Sequence, residues 1–118
     1  MLETADVGSV MIDCNDLEKV SGFWKGLLGL EEKARFPSYV FLGRLSPKGP
    51  RLAFQQVPEP KTVKNRVHLD LEAEDPEGFI AQAIGLGATR LAEHKMTGVH
   101  WTVMADPEGN EFCVTPRD

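Results

Sequence analysis

SVMIDCND, residues 9–16, and HLDLEAED, residues 68–75, share one pattern: an alternating apolar and polar run that ends on an aspartate. In the first, Val10 and Ile12 fall on one face of an extended chain and Ser9, Met11 and Asp13 on the other. In the second, Leu69 and Leu71 oppose His68, Asp70 and Glu72. A period of two predicts a strand whose apolar face must be covered and whose polar face is either solvated or lines a concave site. Asp16 and Asp75 then stand where a side-chain oxygen can accept from the first turn of a following helix.

The repetition continues along the chain. GFWKGLLGLEE from Gly22 lies over GFIAQAIGLGA from Gly78, with an apolar-Gly-Leu ending that reads as a helix C-cap. Ser46-Pro-Lys-Gly49 matches Asp106-Pro-Glu-Gly109, and FQQVP from Phe54 matches FCVTP from Phe112. In the second turn Pro107 presets φ, Asp106 can bond back to the backbone, and Gly109 and Asn110 tolerate positive φ, which predicts a hairpin. Four matches in one order indicate two copies of one supersecondary unit.

Each copy reads as strand-helix-strand-strand-strand. The fold class is therefore α+β, two tandem βαβββ modules at about 1–58 and 66–118 within a single domain over 1–118. The first helix, over 17–28, places Val20, Phe23, Trp24, Leu27 and Leu28 at helical spacing, with Trp24 assigned to the core. The second places Phe79, Ala83, Ile84 and Leu86 in the same way. VPEPKTVKNR, residues 57–66, reads as a short exposed linker.

Composition bounds the function. A chain of 118 residues with 42% hydrophobic and 26% charged residues can bury a core without staples. A net charge of -5 with scattered lysines and arginines argues against a nucleic-acid partner. The acidic N-terminal stretch does not read as a secretory signal, and no apolar run reaches membrane-spanning length, so the expectation is a cytoplasmic protein with no membrane partner. Cys14 and Cys113 form no CxxC pair, and unbridged thiols are expected.

The order of DLEKVSGFWKGLLGLE, VHLDLEAED and DPEGNEF resembles the glyoxalase, bleomycin-resistance and extradiol-dioxygenase superfamily, also called vicinal oxygen chelate, and its small glyoxalase-like domains in particular. The resemblance covers essentially the whole chain. It implies curved antiparallel sheets around a cleft for a small molecule. In metal-dependent members it implies a divalent ion held by four side chains, usually His, Glu, His, Glu, from the first and last strand of each module. Those positions map onto Ser9, Gln55, His68 and Cys113, and only His68 keeps the usual ligand type. A hydroxyl, an amide and a thiol suit a hard divalent cation poorly, so the expectation is no metal and no cofactor. Cys113 with His68 would make a two-ligand zinc site unless Asp70 or Glu111 joined them.

The candidate ligand-binding residues are Ser9, Met11, Gln55, His68, Asp70, Trp101 and Cys113. His68 is the candidate acid–base residue, with a hydrogen-bonded structural histidine as its alternative. Cys113 reads as a small buried hydrophobe, since no basic cluster near it in sequence would activate a thiolate. His100 and Trp101 are adjacent on a strand and must face opposite ways. Trp101 is assigned to the cleft, where its ring can stack on a planar ligand, with the core as its alternative. His94 reads as surface and Arg44 as a solvated edge residue.

Two function classes stay open. One is a protein that binds a small, aromatic molecule without the usual divalent metal, as the bleomycin-resistance branch does. The other is a lyase, isomerase or dioxygenase of the superfamily type that uses His68 as acid–base residue or within a non-standard metal site. A structural or interaction role is a third possibility. The resemblance and the open sheet edges also imply a homodimer.

Overall fold

The computed structural model describes residues 4–117. The chain divides between Pro60 and Lys61 into two compact units. The first holds β1 (Ser9–Cys14), α1 (Leu17–Leu28), β2 (Glu32–Phe36), β3 (Tyr39–Arg44) and β4 (Arg51–Gln56). The second holds β5 (Leu69–Ala73), α2 (Pro76–Gly85), β6 (Thr89–Met96), β7 (Val99–Ala105) and β8 (Glu111–Pro116). Each unit is the expected βαβββ module. Its four strands form one sheet, in the order β1-β4-β3-β2 and β5-β8-β7-β6.

The sheets are mixed, where antiparallel sheets were expected. β1 runs parallel to β4, and β5 to β8. The helix returns the chain so that the second strand points like the first, and two hairpin reversals then leave the last strand pointing the same way.

Local chemistry sets the helix ends. The Asp16 carboxylate accepts from the Lys19 backbone N–H at 3.0 Å, and that of Asp75 from Gly78 at 3.1 Å. Gly29 closes α1 in the left-handed region at φ 64. In the second unit the left-handed residue is Gly87, at φ 117, not Gly85, which the repeat sets against Gly29 and which stays helical. A Cβ on Gly87 would meet Pro107 Cγ at 3.3 Å, so this helix end lies close against the 106–110 turn.

Val20, Phe23, Trp24 and Leu27 of α1 are buried against the sheet, with Val40, Leu42, Leu52 and Phe54 fully enclosed. Trp24 is core, in edge contact with Phe23 at 5.3 Å. In α2 the buried face differs from the expected one. Ile80 and Ala83 are buried, whereas Ile84 and Leu86 stay exposed. Capping at Asp75 starts the helix at Pro76, and Ile80 and Ala83, three apart, are the pair that meets the sheet.

The 106–110 turn is built as expected, around a buried aspartate. Asp106 Oδ1 accepts from the backbone N–H groups of Glu108 (2.9 Å) and Asn110 (3.0 Å), and Gly109 adopts φ 91. In the first unit Gly49 N–H donates to the Ser46 carbonyl at 3.0 Å, and Arg44 Nη1 donates to the Gly49 carbonyl at 2.8 Å, so Arg44 braces the turn. The segment 57–66 is largely exposed, as expected of a short linker, and is tied at both ends. Asn15 Nδ2 donates to the Val57 and Glu59 carbonyls at 2.9 Å each, and Glu111 holds Lys61 and Asn65.

Candidate functional site

Each helix covers one face of its sheet and leaves the other face open. Alternation along the strands places Asp70 of β5, Val99 and Trp101 of β7, and Cys113 and Thr115 of β8 on the open face of the second unit. His68, one residue before β5, joins them. These six residues line a cavity of about 300 Å³.

Asp70 is the direct partner of Cys113 across the parallel β5–β8 ladder. His68 Nε2 stands 3.2 Å from Asp70 Oδ1. The donor atoms of His68, Asp70 and Cys113 all lie within 4.8 Å of one another. His68 and Asp70 are exposed, while Cys113 is buried. Burial pushes the Cys113 thiol above its ordinary range, and the neighbouring Asp70 charge pushes it the same way. It is therefore a protonated thiol at neutral pH rather than an activated nucleophile.

Trp101 lies on the open face, and His100 on the opposite one, where its Nε2 stands 3.7 Å from Glu93 Oε1. His94 is not a bare surface residue. It pairs with Trp101 across the β6–β7 hairpin, and the two rings stack at 5.1 Å with planes 23° apart. The two-residue loop at Thr97-Gly98 carried this information, because counting outward from it sets His94 against Trp101. Val99 and Thr115, which the sequence reading did not single out, lie two residues from Trp101 and Cys113 and share their face.

Glu111 does not join the cluster. It accepts from the Asn65 backbone N–H at 2.9 Å and pairs with Lys61 Nζ at 3.1 Å. Burial would raise its pKa, but these contacts outweigh burial and hold its carboxyl below the usual range.

The first unit places its candidates differently. Ser9 is opposite Arg51, whereas Gln55 is opposite Asp13, which sets Ser9 and Gln55 four residues apart along the ladder, about 13 Å. Met11 is exposed beside Ala53 on the same open face. Ser9 lines its own cavity, of about 440 Å³, with Lys33, Ala34, Phe36, Phe41 and Arg51. Phe41 meets Phe36 edge-on at 6.1 Å and stacks on Tyr39 at 6.4 Å, an aromatic group the sequence reading did not single out.

The hard divalent ion implied by the resemblance does not fit these residues. The two mapped positions of the first unit do not converge, and they offer only a hydroxyl and an amide. No helix among the described residues is long and apolar enough to cross a membrane.

The sequence profile of the family described as Glyoxalase-like domain matches residues 9–115. No curated protein matches the chain. Among solved structures, a glyoxalase/bleomycin resistance protein/dioxygenase family enzyme from Burkholderia phytofirmans PsJN superposes with a TM-score of 0.78 at 22% identity, covering 95% of this chain and 98% of that one. A glyoxalase/bleomycin resistance protein from Albidiferax ferrireducens T118 gives 0.70 at 29% identity, covering 94% and 98%. A lactoylglutathione lyase from Agrobacterium tumefaciens gives 0.68 at 16% identity, covering 97% and 95%.

Proposed function

The chain belongs to the glyoxalase-like domain family of the vicinal oxygen chelate superfamily, and from that premise we propose that it binds a small aromatic molecule against Trp101 without the hard divalent metal of metal-dependent relatives. The observation that carries the reading is the indole on the open face of β7, braced by His94 and lining a cavity with Val99. A braced aromatic wall offers stacking area at little ordering cost, and His68, Asp70 and Thr115 supply polar groups to orient the ligand. The test is calorimetric titration of the full chain with one- and two-ring aromatics in the presence of a chelator. Binding that survives chelation and is lost in Trp101→Ala supports the reading; binding unchanged in Trp101→Ala overturns it.

A second reading is favoured by one contact, the carboxylate of Asp70 at 3.2 Å from His68 Nε2. A carboxylate so placed orients an imidazole, the arrangement of a general acid–base pair. On this reading His68→Ala binds the aromatic compound but no longer converts it. A bound compound recovered unchanged from the wild-type protein removes the acid–base reading for that compound.

A further inference from the structure

We propose that the open face of the first sheet carries a separate binding site for a flat aromatic carboxylate, in which Arg51 takes the anion and Phe41 the ring. Lys33, Arg51 and Phe41 line a cavity of about 440 Å³, within the size range of small-molecule sites. No acidic residue among those described lines it. The cavity is thus cationic in a chain whose net charge is -5.

The strand register places like charges together. Arg44 and Arg51 are direct partners across the antiparallel β3–β4 ladder, where opposed like charges destabilise the pairing. Among the described residues neither guanidinium has a carboxylate partner. Arg44 is turned to the Gly49 carbonyl, while Arg51 is half-buried at the cavity wall. A bound carboxylate offsets the repulsion, and the planar fork of a guanidinium can take both of its oxygens. Lys33 supplies a further cation from β2. Its contact with Glu31, at 3.0 Å, joins two exposed side chains, and a surface pair of this kind yields readily to another anion.

The ring has its place for a different reason. Phe41 stands between Ala34 on β2 and Ala53 on β4, its partners in the two ladders, so small side chains flank it on both sides. Tyr39 stacks on it at 6.4 Å and Phe36 meets it edge-on at 6.1 Å, which holds the ring in one orientation. Ala53 lies two residues from Arg51 along β4, so the ladder positions of Phe41 and Arg51 are about 7 Å apart along the strands. That spacing suits a carboxylate attached directly to an aromatic ring system. Neither Arg51 nor Lys33 falls at a position that maps onto the metal ligands of the family, and the site does not rest on the Trp101 reading.

The experiment is calorimetric titration of the full chain with 2-naphthoate and with its uncharged counterpart 2-naphthamide, together with amide chemical shifts of isotope-labelled protein to locate the ligand. The expected result is that naphthoate binds about 10-fold or more tightly than the amide, the scale of one hydrogen-bonded charge, and that added salt narrows the gap. Arg51→Gln abolishes this preference and leaves the affinity for the amide within about twofold. Arg51→Lys keeps part of it, because the charge stays and the fork is lost. Naphthoate binding persists in Trp101→Ala, and the shifts cluster at Ala34, Phe41 and Arg51. The preference and the shifts of the wild-type protein test the site even where Arg51→Gln does not fold. Equal affinity for acid and amide, an unchanged preference in Arg51→Gln, no saturable naphthoate binding, or shifts confined to β5–β8 overturns the site. Naphthoate binding lost in Trp101→Ala and unaffected by Arg51→Gln also overturns it, while supporting the aromatic reading of the second unit.

Discussion

Asp70 and Cys113 are direct neighbours across the β5–β8 ladder, whereas in the first unit Gln55, the counterpart of Cys113, has Asp13 beside it. Measured from the capping aspartates, the first strand has slipped by two residues against the last strand between the two copies. A slip of two keeps every side chain on its face but changes which ones meet. For this reason the second unit gathers an imidazole, a carboxylate and a thiol, and the first unit spreads its polar residues along the sheet.

The indole of Trp101 is the reporter of this face. Bound aromatic probes quench the fluorescence of the wild-type protein and of Trp24→Phe, and do not quench that of Trp101→Phe, because Trp24 is only 1% exposed. In His94→Ala the emission shifts to the red as water reaches the uncovered ring, and stability falls by about 0.5–1 kcal/mol for the lost cross-strand pair. Quenching retained in Trp101→Phe and lost in Trp24→Phe contradicts the assignment.

The buried face of α2 is tested within one helix. Ile80, 2% exposed, loses about 2–5 kcal/mol on truncation to alanine, as buried aliphatic side chains do. Ile84, 47% exposed, loses less than about 1 kcal/mol. Urea unfolding of the two variants measures the difference, and equal losses would refute the helix orientation.

Asp106 is 2% exposed and accepts two backbone N–H groups and the Asn110 side chain. Asp106→Ala leaves those donors without an acceptor and costs on the order of 2–3 kcal/mol. The exposed cap variant Asp16→Ala costs about 1 kcal/mol. Thermal unfolding that ranks Asp16→Ala as the more damaging change contradicts this account of the turn.

Each sheet has two edge strands, and Phe36 on β2 is 55% exposed, beside Phe41. Such surface is expected to be covered by a second copy of the chain. Light scattering at micromolar concentration then gives the mass of two chains and, for Phe36→Lys, a lighter average mass. A one-chain mass for the wild type removes the homodimer expectation.

What the sequence determined by itself was local. Asp16 and Asp75 cap helices, Val20, Phe23, Trp24 and Leu27 form one buried stripe, and Asp106 to Asn110 turns, because each depends on residues a few positions apart. Repetition of those signals was enough to write the βαβββ unit twice, whereas alternation required only that His100 and Trp101 face opposite ways and did not choose which of them lies on the open face. Tertiary structure decided which residues of distant strands became neighbours. The meeting of Asp70 with Cys113, the anchoring of Asn65 by Glu111, and the choice of Ile80 over Ile84 as the buried residue of α2 follow from how strands and helix pack. A strand's own alternation is satisfied equally well by every register two residues apart, so only the packing of the helix and the pull of the connecting loops select one.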